Sequence, residues 1–299
     1  MKKIYMAGVG GMLGEAFHQV FSKDYSLVCT DKDVNEDWLV FCDFRDFDEY
    51  RKQVFDFKPD YLFHIGAHTD LEYCELNSDD CYSTNTMAVE NACYIANELH
   101  IPLLYVSTAG IFDGLQESYD DYDNPNPLCH YARSKFMGEV CVRENVERYI
   151  ICRAGWMMGA GARKDKKFVN KILAQIASGA KELNIVNDKL GTPTLTYDFA
   201  KNTKYLIEKG YWGLYNMVCG GETSRMEVAE EIIRYCGLSN EILINSVTSD
   251  YFKKDYFAPR PASEKLINKK LELRNANLMR DWKVCLQEYL DIHYSEFKK

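Results

Sequence analysis

The chain has 299 residues, enough for one large domain or two closely joined ones with a sizeable core. Hydrophobic residues make up 46% and charged residues 27%, which is ordinary for a globular enzyme and argues against disorder. The net charge is -9, so a nucleic-acid partner is not expected, because such binders usually carry a basic excess. No apolar run approaches transmembrane length, so no membrane partner is expected either.

The 11 cysteines include no CxxC pair and no Cys/His spacing typical of a metal site, so we expect no metal. Several of them, such as Cys29, Cys152 and Cys219, lie inside apolar runs that predict strands. Buried free thiols in a reducing compartment explain this better than a disulfide framework. The apolar run at residues 4–7 ends at once on glycines, so it is not a signal peptide and a cytoplasmic location is expected.

An apolar strand over residues 2–7 leads into Gly8, Gly11 and Gly14, and a helical pattern follows. Glycines let backbone amides approach a pyrophosphate, and a helix N-terminus favours the anion, so this stretch predicts a dinucleotide site. The second strand, residues 26–30, ends at Asp31. Its carboxylate can accept hydrogen bonds from ribose hydroxyls and would repel a 2′-phosphate, which slightly favours NAD(H) over NADP(H), although Lys32 beside it softens the preference.

Strand and helix patterns then alternate as far as residue 153. Strands are predicted at residues 38–41, 61–65, 103–106 and 148–153, with helices up to residue 57, over 79–100 and from Tyr131. Regular β-α alternation with helices of crossover length predicts an α/β fold with a Rossmann-type doubly wound parallel sheet.

The alternation is lost after Ala154. Helices are predicted over 168–178, 197–209 and 278–297, strands over 183–186 and 213–219, and Ser224 with Glu227 forms a capping-box pattern. These segments predict a smaller C-terminal α/β lid that binds substrate. We therefore expect an NAD(P)-binding domain over 1–155, with a return of about 192–220, and a lid formed by 156–191 and 221–299.

Tyr131 and Lys135 are four residues apart, so they share one face of the predicted helix. A neighbouring ammonium favours the phenolate, and we expect it to lower the pKa of the tyrosine toward neutrality. The tyrosine could then exchange a proton with a carbonyl or hydroxyl group. The pair by itself is common in helices, and its meaning depends on the motifs around it.

Those motifs occur in a fixed order along nearly the whole chain. They are Gly8-x-x-Gly11-x-x-Gly14, Asp43, Pro59-Asp60, Thr69 with Glu75, Asn85, Ser107-Thr108 with Phe112-Asp113-Gly114, Tyr131-x-Arg133-Ser134-Lys135 with Gly138-Glu139, Arg153, Trp156, Phe168, Asp188 with Gly191-Thr192-Pro193-Thr194, Gly221, Ser224 and Arg260-Pro261. In these residues the chain resembles extended short-chain dehydrogenases/reductases of the dTDP-4-dehydrorhamnose reductase type.

The resemblance implies that Thr108, Tyr131 and Lys135 form a catalytic triad that reduces a nucleotide-linked 4-keto-6-deoxy sugar with NAD(P)H, in polysaccharide or deoxysugar biosynthesis. Tyr131 would donate the proton, Thr108 would hold the carbonyl oxygen, and Lys135 would bind the nicotinamide ribose. The implied cofactor residues are Gly8, Gly11, Met12, Leu13, Gly14, Asp31, Asp43, Phe44, Ala67, Asn85, Tyr131 and Lys135. The implied substrate residues are His68, Thr69, Ala109, Trp156, Lys167 and Arg260.

Four changes, at five positions, depart from the family's usual pattern, and all are expected near the substrate. Ala109-Gly110 replace an Asp-Tyr pair, so we expect a roomier and less polar pocket near the reacting carbon. His68, Lys167 and Lys189 replace a tyrosine, an asparagine and a glutamine. These changes suggest a different sugar or a different nucleotide.

Two other functions remain open in the sequence. A nucleotide-sugar C4 epimerase uses the same hydride chemistry in both directions, and a non-catalytic regulatory subunit would keep the cofactor site. A 4,6-dehydratase is not expected, because Ala109-Gly110 supply no acidic pair, and an epimerase-reductase would need a thiol at position 109. A homodimer is compatible with the resemblance, but the sequence has no diagnostic interface stripe.

Overall fold

The computed structural model describes residues 1–298, which form fourteen strands and twelve α-helices. The strands are β1 (Lys3–Ala7), β2 (Ser26–Asp31), β3 (Leu39–Phe41), β4 (Tyr61–His64), β5 (Leu103–Thr108), β6 (Tyr149–Ala154), β7 (Trp156–Met158), β8 (Glu182–Val186), β9 (Leu190–Gly191), β10 (Pro193–Leu195), β11 (Gly213–Asn216), β12 (Thr223–Ser224), β13 (Leu243–Val247) and β14 (Ser263–Glu264). The helices are α1 (Met12–Phe21), α2 (Phe47–Phe57), α3 (Leu71–Leu76), α4 (Ser78–Tyr82), α5 (Ala88–Glu98), α6 (His130–Asn145), α7 (Gly161–Lys164), α8 (Phe168–Ala177), α9 (Thr196–Lys209), α10 (Arg225–Tyr235), α11 (Lys269–Leu273) and α12 (Trp282–His293).

Seven parallel strands form the central sheet, in the order β11-β6-β5-β4-β1-β2-β3. The chain runs outward from β1 in one direction through β3 and then returns to β4, so the strand order reverses between β1 and β4. This is the doubly wound Rossmann-like topology that the β-α alternation predicted, and the fold prediction is confirmed. In such sheets the crevice for a ligand opens at the carboxyl ends of the strands, at the point of reversal.

Helices cover both faces of this sheet. One core cluster joins α1, α9 and α12 to one face, and Phe17 of α1 and Phe199 of α9 are fully buried there. The other cluster joins α2, α5 and α6 to the opposite face, where Tyr50 and Val142 are fully buried. Because both faces are covered, a central strand such as β4 is buried at all four residues.

The chain after β6 forms three small sheets of short strands, and residues 156–191 and 221–298 also include α7, α8, α10, α11 and α12. β10 pairs with β7, β13 pairs with β8, and β9 lies between β12 and β14. Helix α10 begins with the predicted capping box, in which Ser224 and Glu227 bond to each other's backbone amides. All 11 cysteines are free, and no helix within residues 1–298 is both long and apolar enough to cross a membrane.

Three parts of the sequence prediction were wrong in detail. The predicted single helix over 79–100 is instead α4, a π-helical turn at Ser83–Met87, and α5. Helix α3 was not predicted, although Asp70 caps it by accepting from the amide of Tyr73. The last helix begins at Trp282 rather than at residue 278, because Asp281 caps it and accepts from the amide of Lys283.

Candidate active site

The turn between β1 and α1 is closely packed on its inner side. Gly8 has a φ of +76°, and a Cβ there would lie 2.2 Å from the Cα of Gly66. A Cβ on Gly14 would lie 2.1 Å from the carbonyl oxygen of Val9. Only glycine fits these two positions, since strand, turn and helix approach each other more closely than any side chain allows.

The outer side of the same turn is open. A Cβ on Gly11 would meet no atom within 4 Å, and Gly11 is the N-cap of α1 without a side-chain hydrogen bond to the helix. The first-turn amides, including those of Met12 and Leu13, are therefore available to an anion. A cradle of this shape suits a dinucleotide pyrophosphate, as the glycine spacing predicted.

Asp31 lies at the end of β2, beside this turn. Its Oδ2 accepts from the amide of Gly10 at 2.8 Å, and its Oδ1 accepts from the amide of Asp33 at 3.0 Å. Asn35 donates to the carbonyl of Gly10 at 3.2 Å, so the glycine turn is fastened to the end of β2. Asp31 therefore holds the loop and keeps a carboxylate at the position where the adenosine ribose is expected.

Asp43 and Phe44 contact protein groups at this end of the cleft. Arg45 donates to both carboxylate oxygens of Asp43 at 2.5–3.0 Å, and these bonds lower the pKa of Asp43 below its usual range despite its partial burial. The ring of Phe44 packs so closely under Gly66 that a Cβ on this glycine would lie 2.4 Å from it. The same ring atom would lie 3.0 Å from a Cβ on Gly8, so Phe44 packs against both Gly66 and the first glycine of the turn.

The three predicted catalytic residues come together at the carboxyl end of β5. Thr108 is the last residue of β5, and Tyr131 and Lys135 lie in the first turns of α6. Helix α6 lies directly against the strand, because Tyr105 donates to the carbonyl of Lys135 at 3.0 Å and a Cβ on Gly138 would lie 2.4 Å from the Tyr105 hydroxyl. The Lys135 ammonium lies 4.2 Å from the centre of the Tyr105 ring.

The pKa values of this pair differ from the sequence expectation. Burial raises the pKa of Tyr131 well above its usual range, while a hydrogen bond with Thr108 opposes the shift. Burial also lowers the pKa of Lys135 to about 7, with the charge of Glu139 acting in the other direction. Removal from water dominates both groups in this structure, and the lowering of the tyrosine pKa by Lys135 stays a prediction. Tyr131 is a protonated phenol at neutral pH.

Asn85 supports the loop that follows β4. It is fully buried in the π-helical turn, and its amide bonds the backbone of His68 at 2.8 and 3.0 Å and the Ser134 hydroxyl at 3.1 Å. Ala67 lies half-buried in the same loop. The His68 side chain pairs with Asp80 at 2.9 Å and stacks on Tyr73.

Two side chains of the lid reach across to the sheet domain. Lys167, at the N-cap of α8, donates to the backbone and side-chain oxygens of Thr69 at 3.4 Å. Arg260 donates to the two carboxylate oxygens of Glu72 at 2.7 and 2.9 Å. Three of the predicted substrate residues therefore contact groups across the cleft, and Glu72 is a partner that the sequence did not suggest.

Two further lid residues were missed, Arg225 and Glu264. The Trp156 indole donates to Glu264 at 2.8 Å. The Arg225 guanidinium stacks on the Trp156 ring at 3.6 Å and on Phe168 at 4.6 Å. Burial lowers the pKa of Arg225 to about 10, so it is charged at neutral pH. No periodicity or spacing marks these residues, because short non-local strands bring them together.

Ala109 does not line the cleft, which corrects its assignment as a substrate residue. It is 1% exposed and packs in a small core with Ile111, Phe112 and other apolar side chains. The expectation of a roomier and less polar pocket near the reacting carbon stays a prediction. Next to Ala109, a Cβ on Gly110 would lie 3.4 Å from a carboxylate oxygen of Glu264, so the lid supplies an acidic group there.

A glycine turn fitted to a dinucleotide, with threonine, tyrosine and lysine beside it at one sheet edge, defines a nicotinamide-dependent oxidoreductase of the short-chain dehydrogenase/reductase class. Within residues 1–298, no group of three or more His, Cys, Asp or Glu side chains is arranged to hold a metal ion.

Comparisons with known proteins agree with this class. Residues 1–295 match the model of the RmlD substrate binding domain family, so the chain belongs to that family. The spore coat polysaccharide biosynthesis protein SpsK of Bacillus subtilis is 28% identical over 97% of both chains. A solved dTDP-4-dehydrorhamnose reductase from Clostridium acetobutylicum is 28% identical, with a TM-score of 0.87 over 97% of this chain and 99% of the other. That from Yersinia enterocolitica is 30% identical, with a TM-score of 0.86 over the same shares.

Proposed function

We propose that this protein uses NADH or NADPH to reduce a nucleotide-linked 4-keto-6-deoxy sugar, in polysaccharide or deoxysugar biosynthesis. The observation that carries the proposal is that Thr108 ends β5 beside the first turns of α6, which hold Tyr131 and Lys135, at the same sheet edge as the glycine turn. The names of the relatives, which include two dTDP-4-dehydrorhamnose reductases and a polysaccharide biosynthesis protein, support the substrate class.

A reduced nicotinamide, when bound, supplies the hydride that a carbonyl carbon needs. Thr108 donates a hydrogen bond to the carbonyl oxygen and holds it beside the Tyr131 hydroxyl. Because the pKa of Tyr131 is raised, its phenol is protonated at neutral pH and gives its proton to this oxygen as negative charge develops. The protonated form of Lys135, whose pKa burial lowers to about 7, stabilises the resulting phenolate, which takes a proton from solvent to complete the cycle.

The residue at the end of β2 favours one of the two cofactors. Asp31 places a carboxylate where a 2′-phosphate would lie, which favours NADH over NADPH. Residues 1–155 and about 192–220 would hold the cofactor, and the lid would cover the sugar nucleotide. We place the protein in the cytoplasm, because 10 of its 11 free cysteines are buried thiols and none forms a disulfide.

A panel of nucleotide-linked 4-keto-6-deoxy sugars with NADH and NADPH tests the proposal. We expect consumption of one reduced cofactor per sugar, faster with NADH, followed by the absorbance of the reduced nicotinamide. Interconversion of the C4 epimers of a nucleotide sugar that carries a C4 hydroxyl, with NAD(P)⁺ added and no net change in it, would instead identify a C4 epimerase, because an epimerase removes a hydride from C4 and returns it. Tight cofactor binding without conversion of any sugar would favour a regulatory subunit.

A faster reaction with NADPH than with NADH would contradict the cofactor preference assigned to Asp31. The matched variant is Asp31→Asn, which removes the charge and keeps the hydrogen bond from Gly10. This variant should narrow the difference between the reaction rates with NADH and with NADPH.

A further inference from the structure

Glu264 holds a carboxylate oxygen that the protein leaves without a hydrogen bond. Its Oε2 accepts from the Trp156 indole at 2.8 Å, whereas no donor within residues 1–298 bonds its Oε1. The residue is firmly placed, because β14 pairs with β9 and sets Glu264 opposite Gly191. The indole packs directly on that glycine, since a Cβ there would lie 2.3 Å from the ring.

The unbonded oxygen lies beside the catalytic threonine. The position of a Cβ on Gly110 is 3.4 Å from Glu264 Oε1 and 3.5 Å from Thr108 Oγ1, so the two oxygens flank the same point. The negative charge of Glu264 also acts on Tyr131, whose pKa it helps to raise. Glu264 therefore faces the groups that are expected to hold the substrate carbonyl, although it belongs to the lid.

Glu264 is half-buried and its Oε1 is open to solvent, so a donor on a bound ligand can reach this oxygen. The charge of Glu264 acts on Arg225, which stacks on the Trp156 ring and forms no ion pair with any residue in 1–298. Arg225 balances the charge of Glu264 across the indole, but it does not bond Oε1. A hydrogen-bond donor on the substrate would complete the coordination of this oxygen.

We propose that Glu264 determines substrate specificity by accepting a hydrogen bond from the sugar substituent next to the reacting carbonyl. This inference rests on the proposed reduction of a 4-keto-6-deoxy sugar. In such a sugar the ketone is flanked by C5, which carries only a methyl group and the ring oxygen, and by C3. The donor is therefore the hydroxyl or amino group on C3, and a 3-deoxy sugar should be a poor substrate.

The test compares kcat/KM for nucleotide-linked 4-keto-6-deoxy sugars that carry a hydroxyl, an amino group or hydrogen at C3. A hydrogen bond to a charged acceptor is worth about 10- to 100-fold, so the wild type should prefer either donor sugar over the 3-deoxy sugar by that factor. Glu264→Ala should bring the ratio close to one, and Glu264→Gln, which keeps an acceptor oxygen, should retain part of it. The order of the hydroxyl and amino sugars identifies the donor.

Two matched variants separate recognition from simple support of the lid. Glu117→Ala removes a glutamate whose side chain is 79% exposed and bonds only to Lys265, and it should keep the full preference. Trp156→Phe removes the indole donor and leaves Glu264 in place, so the preference should survive even if the rates fall. If Glu264→Ala lowers kcat/KM equally for all the sugars, so that the ratio of donor sugar to 3-deoxy sugar is unchanged, the inference is overturned. Glu264 would then only hold Trp156 in position.

Failure of the proposed function gives a different result, because then no sugar is turned over. In that case calorimetry with the corresponding 3-hydroxy and 3-deoxy nucleotide sugars measures the contact by binding alone. A lower Kd for the 3-hydroxy compound that is lost in Glu264→Ala would support the inference. Equal Kd values for the two compounds in the wild type would overturn it.

Discussion

Two ion pairs in the molecule have the same chemistry and different surroundings. In each of them, called a fork here, two nitrogens of an arginine donate to the two carboxylate oxygens of a glutamate. At the sheet edge, Arg153 of β6 donates to Glu139 of α6 at 2.9 and 2.7 Å, and their side chains are 2% and 0% exposed. In the lid, Arg260 donates to Glu72 of α3 at 2.7 and 2.9 Å, with side chains 28% and 19% exposed. The donor–acceptor distances are nearly the same, although Arg153 donates through Nε and Nη2 and Arg260 through its two Nη atoms, so the main difference between the pairs is burial.

The difference assigns a different physical task to each fork. Loss of one partner at the sheet edge leaves a charge without water or a counter-ion, which is strongly destabilising. Loss of one partner in the lid leaves a charge that water can reach, so the cost is small. The buried fork fixes α6, which carries Tyr131 and Lys135, whereas the lid fork joins α3 to the chain before β14 across the cleft.

Tyr131→Phe tests whether the chemistry depends on the sheet edge alone. The variant removes the proton donor and leaves both forks untouched, so kcat should fall about 10²- to 10⁴-fold. Cofactor affinity, measured by fluorescence titration, should change little. Tyr122→Phe is the matched control, because Tyr122 is 63% exposed and should keep full activity. A Tyr131→Phe variant within a few fold of wild-type kcat would contradict the assigned proton transfer.

Glu139→Ala tests the buried fork. The substitution leaves Arg153 charged and buried, and the free energy of unfolding should fall by about 3–5 kcal/mol. Denaturant unfolding measures the loss, and Glu144→Ala, an exposed glutamate of the same helix, should cost less than about 0.5 kcal/mol. Similar values for the two variants would show that the buried fork does not hold α6 in place.

The sequence predicts the sheet edge well because its information is local. Each strand is a short apolar run, and each chemical group follows the end of its own strand, as Asp31 and Thr108 do. Parallel strands place all these ends on one edge, so the topology brings the groups together without further detail. The π-helical turn was missed because it holds Asn85, whose hydrogen-bond partners His68 and Ser134 are 17 and 49 positions away in the chain.

The lid is predicted less well because its contacts are non-local. Strands β9, β12 and β14 have two residues each, too few for any periodic signal. The contact between Trp156 and Glu264 joins residues 108 positions apart, and no motif links them. For the same reason the sequence did not indicate that the lid brings the carboxylate of Glu264 close to Gly110.

Glu72→Ala tests the lid fork and carries the smallest expected effect. A partly exposed ion pair contributes at most about 1 kcal/mol, so stability should barely change, and KM for the sugar nucleotide should rise about fivefold with kcat nearly constant. The matched control is Glu98→Ala, which breaks an exposed pair with Arg51 that contacts no lid residue and should leave KM unchanged.

The sign of the change in KM is the informative result, because it separates two roles for Arg260. If the fork keeps the lid closed over the substrate, its loss weakens binding and KM rises. If Arg260 instead binds the sugar nucleotide and Glu72 only competes for its guanidinium, removal of Glu72 frees the arginine and KM falls. The contact across the cleft favours the first outcome, because Lys167 and Thr69 join the same two parts of the molecule close to the same helix, α3.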